Sequence, residues 1–306
     1  MPASWVAASV RAKLLQNRRL GEAGAVAVAG SGSLRAGMEM LMDSAYGTEL
    51  NPGMTLEAAQ RQIAITTLWQ LRVLAGWLPP GGSEILRPLA AWFEIANIEE
   101  RLSYLSGGTH AVPYELGGLA TAWPLVSTAT TSDRVRELLA RSHWGDPGSS
   151  EPSAMMTVLR LRWAAWVAGT VPSAEVWAAS AAALLAARVR FAAPILVPLP
   201  ATTRAVGLPR GWAQAASLSD LRAMMPRWLS WVLEGVAQAS ELWTAEARWW
   251  SRVSRDARQT IVRSRHAPAA IVAVAALLGY DAWLARGALA SAARGRPARE
   301  AFDAVA

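Results

Sequence analysis

Residues able to do chemistry are sparse in this 306-residue chain, and their spacing argues against most catalytic sites. The three histidines, His110, His143 and His266, lie far apart, and none has a second histidine or a carboxylate at metal-ligand spacing on a predicted helix. Cysteine is absent, which excludes disulfides, thiolate metal sites, a cysteine nucleophile and an iron–sulfur cluster. No serine sits in a Gly-x-Ser-x-Gly elbow. Glu94, Glu99 and Glu100 are the nearest approach to an acid/base group, but Glu99 and Glu100 are adjacent and cannot share a helix face, so all three read as surface charge. The single lysine, Lys13, follows Ala12 rather than a glycine-rich phosphate loop. Gly30-Ser31-Gly32 fails the dinucleotide fingerprint because Arg35 holds the third glycine position, and it reads as a loop. The expectation is a non-enzyme with no catalytic, cofactor-binding or metal-ligating residues.

Charge is the stronger signal. Thirty Lys+Arg face 23 Asp+Glu, for a net charge of +7 and a pI near 10.8, which points to acidic partners. Arg248, Arg252, Arg255 and Arg258 step by four and three, placing guanidinium groups on one helical face beside Trp249 and Trp250. That stripe suits an acidic protein, anionic lipid or nucleic-acid phosphate; the alternative is a solvated face with Asp256 and Glu246 as local partners. A second basic group, Arg11, Arg18 and Arg19, lies near the start. The sixteen tryptophans, many at helical spacing such as Trp163/Trp166 and Trp228/Trp231, read as packing residues rather than a stacking platform.

The elements that position these residues are helical. Leu, Ile, Val, Trp and Ala recur at three- and four-residue steps, strand-like alternation is nearly absent, and 53% apolar composition suffices for a core. Helices are expected over 3–18, 33–44, 55–77, 82–106, 132–142, 154–168, 173–192, 217–225, 227–265 with a break, 269–278 and 281–293. Ser33, Thr55, Ser132 and Ser173 are expected caps. Pro194, Pro198, Pro200 and Pro209 predict an extended connector over Pro194–Trp212 in the middle of the chain. The apolar stretch Ala23–Ala29 is too short for a secretory signal, and the longest uncharged run, Ala267–Tyr280, is cut by Asp281 below the roughly 20 residues of a membrane span.

Similar layouts recur around Asn97, Arg188 and Asp281, which suggests three helical units of about 100 residues within one all-helical domain, with repeats over 1–112, 113–205 and 206–306. Read in order, several segments resemble the C-subunit family of V-type and archaeal-type (A-type) rotary ATPases, whose eukaryotic relative is the d-type component of the V-ATPase membrane sector. The carrying residues are Ser4-Trp5-Val6-Ala7-Ala8-Ser9-Val10-Arg11-Ala12-Lys13-Leu14-Leu15; Asp43-Ser44-Ala45-Tyr46-Gly47-Thr48-Glu49-Leu50; Phe93 to Leu102 with Asn97, followed by Gly107; Pro113-Tyr114-Glu115-Leu116-Gly117-Gly118-Leu119; and Tyr280-Asp281-Ala282-Trp283-Leu284-Ala285-Arg286 with Gly295. The Tyr46-Gly47 element is the most specific. Two departures concern charge: Ala186-Ala187 stands where the family's middle repeat keeps an acid, and Glu99 where it has a basic residue.

The resemblance implies an all-α, funnel-like array of three similar bundles. It also implies a non-catalytic socket on the cytoplasmic side of the membrane, peripheral to it. Such a socket receives central-stalk subunits, grips the membrane rotor ring and passes torque for ion transport. The resemblance assigns no role to the arginines; on charge alone, the basic faces at Arg11, Arg18 and Arg19 and at Arg248–Arg258 are candidate contacts with acidic ring loops, shaft helices or headgroups. A basic helical adaptor or nucleic-acid-associated protein is the competing reading.

Overall fold

The computed structural model describes residues 3–193, 206–264 and 268–295. Among them the protein is all-helical, without strands. The α-helices are α1 (Ala3–Asn17), α2 (Gly21–Ala29), α3 (Leu34–Met42), α4 (Leu56–Trp77), α5 (Arg87–Leu105), α6 (Trp123–Val126), α7 (Ser132–Ala140), α8 (Pro152–Thr170), α9 (Glu175–Ala187), α10 (Leu218–Met224), α11 (Arg227–Ser230), α12 (Leu242–Arg263) and α13 (Pro268–Ala293). Two compact units result: Met1–Ser83 with Trp250–Ala306, and Glu84–Trp249. Their bounds are not those of the three repeats expected from the sequence.

In the first unit α13 is the central helix, packed by α1, α2, α3 and α4. It is apolar on all sides, with Ile271, Val274, Leu278, Leu284 and Leu289 buried, as a helix surrounded by others must be. The expected break at Gly279-Tyr280 does not occur, because Gly279 is tolerated inside a helix that is held by tertiary packing on every face. Unbroken, α13 is long and apolar enough by length and composition to cross a membrane, but 72% of its most apolar stretch is buried inside the protein. It is the core of this unit.

In the second unit α5 packs on α8, and α8 on α9. Ile95, Ile98, Leu139, Trp144, Met155 and Leu159 form part of one buried cluster, with Trp163 and Trp166 packed at its edge. Those two tryptophans pack as expected; Trp228 instead is 47% exposed. Helix α9 passes into a π-helical turn at Arg188–Ala192, just before the proline-rich segment. Of that expected connector, 194–205 lie outside the described residues, and Trp212–Gln214 form a single 3-10 turn.

Local chemistry explains several boundaries. The Ser33 and Thr55 side chains accept from the N–H groups of Ala36 and Ala58, as expected of caps. The cap of α7 is Thr131 rather than Ser132, and Ser173 lies inside a 3-10 turn instead of capping α9. The expected 227–265 helix is divided into α11, two 3-10 turns and α12, with Gly235 at φ +69° between the turns. The 82–106 segment opens as a 3-10 turn before α5. Helix α2 is not among the expected helices: two glycines and a run of small residues hide a segment that forms by packing on α13.

Candidate functional site

The acidic residues expected at the surface include one that is not there. Glu94 on α5 is completely buried, whereas Glu99 is exposed and paired with Arg160 at 2.7 Å. Glu94 Oε1 accepts from the backbone N–H groups of Thr121 (2.7 Å), Ala122 (2.9 Å) and Trp123 (2.8 Å). Its Oε2 accepts from the indole of Trp144 at 2.9 Å and from the Thr121 hydroxyl. A carboxylate removed from water needs such compensation, and here five donors and the start of α6 provide it. Ala90, Ala91, Asn97 and Ile98, one turn to either side of Glu94, are buried too, so the acid stands on the core-facing side of α5.

Asp281 does the equivalent in the first unit. It lies on α13 between buried Leu278 and Leu284, and its Oδ1 accepts from Gly21 N–H at 2.7 Å. Its Oδ2 accepts from Leu20 N–H at 3.0 Å and from the Tyr46 hydroxyl at 2.9 Å. Burial, reinforced by the Asp281 charge and hydrogen bond, raises the Tyr46 phenol well above its usual pKa, so it stays a donor. Arg19 stands near this node. Burial lowers its proton affinity while Asp281 opposes that shift, and its Nε donates to the Gln16 carbonyl. Beside it, Arg258 pairs with Glu22 at 2.7 Å, and Tyr280 donates to the same carboxylate at 3.2 Å. Burial, then Glu22, raises the Tyr280 phenol's pKa.

The segments clasped by these carboxylates are alike in detail. Ser33 caps a nine-residue helix, as Thr131 does 98 positions later. Ser44 donates to the Leu41 carbonyl (2.6 Å) and accepts from Tyr46 N–H (3.2 Å). Ser142 donates to the Leu139 carbonyl (2.8 Å) and accepts from Trp144 N–H (3.1 Å). Each turn closes on a glycine, Gly47 or Gly145. At Gly47 a Cβ would lie 1.9 Å from the Met42 carbonyl oxygen, so no side chain fits; Gly145 is required by its φ of +68°. The aromatic before each glycine, Tyr46 or Trp144, is the one that reaches the buried carboxylate.

A third segment is related but altered. Ser217 caps α10, and Arg190 Nε donates to the Ala215 carbonyl at 3.0 Å. Glu94 and Asp281 share the role of buried acceptor, which Arg190, a donor, does not; the Asn97, Arg188 and Asp281 matched by spacing do not share one role. Asn97 clasps Tyr114 in both directions, at 2.9 and 2.7 Å, and Arg188 is an exposed partner of Glu246.

The remaining expected residues are dispersed. Gly107, at φ +92°, ends α5, with Gly107 and Gly108 N–H groups donating to the Tyr104 and Ser103 carbonyls. Arg286 is exposed, and its carbonyl accepts from Gln60. On α12, Arg252 lies 3.7 Å from Asp256 as expected, Arg255 is exposed, and Arg258 reaches aside to Glu22. Glu246 turns to Arg188 rather than to the stripe. Arg248 Nε and Nη2 are buried without a hydrogen-bond partner. Arg11 is half-buried and Arg18 exposed. His110 and His143 lie in a loop and a turn, as expected; His266 lies outside the described residues. Among the described residues no group of three acidic or histidine side chains is placed to hold a metal. No family model matches the sequence, and no characterised protein matches it significantly.

Proposed function

We propose that this protein is a non-catalytic coupling subunit of the V/A-type rotary ATPase class, a socket between central-stalk subunits and the membrane rotor ring. The observation that carries the reading is the recurrence of one clasp: a capped short helix, a serine turn, an aromatic and a glycine, tied by a buried carboxylate to a long helix at Tyr46–Asp281 and again at Trp144–Glu94. Repetition of the clasp supports an array of similar bundles, three in the proposed funnel. Tyr46, Gly47, Asn97, Gly107 and Asp281, which carry the family resemblance, all work here as helix fasteners. A torque-transmitting part requires such stiffness, since close-packed interiors pass strain with little compliance.

Affinity purification of the tagged chain from native membranes in mild detergent, followed by native mass spectrometry, tests the reading. Stalk, ring and ATPase-head subunits at fixed stoichiometry are expected; their absence from a stable, folded preparation overturns it. A basic adaptor or nucleic-acid-binding role is the second reading. It is favoured by Arg255 and Arg263, exposed on α12 without an ion-pair partner among the described residues. Steeply salt-dependent binding to generic DNA or RNA would support that alternative.

A further inference from the structure

Helix α1 carries apolar residues on opposite sides, yet it is covered on only one of them. Ala8, Ala12 and Leu15 are buried, and α1 packs on α13 and α4. Val6, Val10 and Leu14 are 40%, 55% and 52% exposed. Residues four apart line one face, so these three form an aliphatic strip about 12 Å long. The same geometry sets Lys13 along one edge of the strip and Arg11 along the other, and exposed Arg18 follows the end of the helix, its N–H donating to the Leu15 carbonyl at 3.1 Å. On neighbouring α4, Ile65 and Trp69 are also exposed, the tryptophan by half.

The charges around this strip are uncompensated. Helix α1 contains no Asp or Glu, and Arg11, Lys13 and Arg18 have no ion-pair partner among the described residues. Elsewhere arginines find acids readily, as in Arg35–Glu39, Arg134–Glu137 and Arg136–Asp146. Two copies meeting through this face would bring their cations together, which disfavours self-association. An anionic surface with an apolar layer beneath it satisfies both features at once.

We infer that α1 docks on an anionic bilayer, with Val6, Val10 and Leu14 entering the boundary between headgroups and acyl chains. Lys13, Arg11 and Arg18 lie over lipid phosphates, where their long stems let the charge stay in the polar layer. Contact of this kind buries aliphatic area that no described protein segment covers, and each cation adds electrostatic attraction. The inference goes beyond the rotary-coupler reading and stands on α1 alone, so a chain with no rotary partners would bind lipid equally well.

The absence of cysteine gives a clean test in the full chain. Val10→Cys, at an exposed position, carries one environment-sensitive NBD label, and an unchanged circular dichroism spectrum and thermal midpoint establish that the labelled chain is folded. Phosphatidylcholine vesicles containing phosphatidylglycerol should shift the emission to the blue, and phosphatidylcholine alone much less. In the labelled chain, Lys13→Gln and Arg18→Gln, each of which removes one charge, should each weaken partitioning about fivefold. A label that stays aqueous at saturating anionic vesicles, equal shifts with neutral vesicles, or a shift that follows protein concentration without vesicles would overturn the proposal. The last result would identify a second copy as the occupant. Rotary partners are read from the native complex rather than from vesicles, so the two proposals fail separately.

Discussion

The clasp around Asp281 and the clasp around Glu94 solve one problem with different parts. Both hold a short capped helix and a serine turn against a long helix through a carboxylate in the interior. Asp281 has the shorter side chain. It meets two backbone N–H groups and a phenol, and a nearby cation, Arg19, shares its charge. Glu94 reaches farther and collects three backbone N–H groups, a hydroxyl and an indole. The difference lies in the number of donors: five converge on Glu94 and three on Asp281, while in each clasp one oxygen meets a hydroxyl, which can also accept, beside a group that only donates. The second clasp therefore has more to lose when its carboxylate is changed.

The largest expected effect is at Glu94. In Glu94→Gln the new amide nitrogen would face the Trp144 indole, and three backbone N–H groups would lose a charged acceptor, costing about 4 kcal/mol in chemical denaturation. For Asp281→Asn the expected cost is about 2 kcal/mol, because only three donors are affected: Gly21 keeps an acceptor, Tyr46 can rotate to accept, and the Leu20 N–H alone faces the new amide nitrogen. Equal losses in the two variants would remove the distinction between the clasps. The glycines sharpen the comparison. Gly47→Ala forces a Cβ into the Met42 carbonyl and should cost about 3 kcal/mol. Gly145→Ala meets only conformational strain, about 1 kcal/mol.

The smallest effect is electrostatic. His143 follows the serine of the second clasp and lies tilted against Trp166, with 3.9 Å between ring centroids and 50° between planes. Burial lowers its pKa, with Glu94 opposing, so the folded protein binds its proton less readily than the unfolded chain. The resulting stabilisation is complete above the unfolded histidine pKa and is lost as pH falls through the lowered one. Thermal midpoints should decline slightly between about pH 7 and pH 5. His143→Phe should remove that part of the slope; an unchanged slope would show that the histidine contributes none of it.

Much of the helical framework is legible because it is written locally. Three- and four-residue apolar spacing marks α4, α5, α8 and α12, and Ser33 and Thr55 mark two starts. The family-like elements at Tyr46-Gly47 and Asp281 are legible as motifs, but nothing local says that they touch, since 235 positions separate them. Glu94 escapes a local reading for the same reason. A carboxylate in a helix looks like surface charge until the segment that supplies its donors, Thr121–Trp123, is known to fold against it. Helix α2 lacks the periodic pattern that would reveal it, because its conformation depends on α13.

Composition and neighbours within a turn are enough to dictate the all-helical class, the positive charge, the lack of thiol chemistry and several helix ends. Which polar residues are interior, which aromatics reach them and which arginines stay unpaired emerge only once the helices have packed. Burial is a property of what lies over a residue, and hydrogen-bond partners hundreds of positions away leave no local trace.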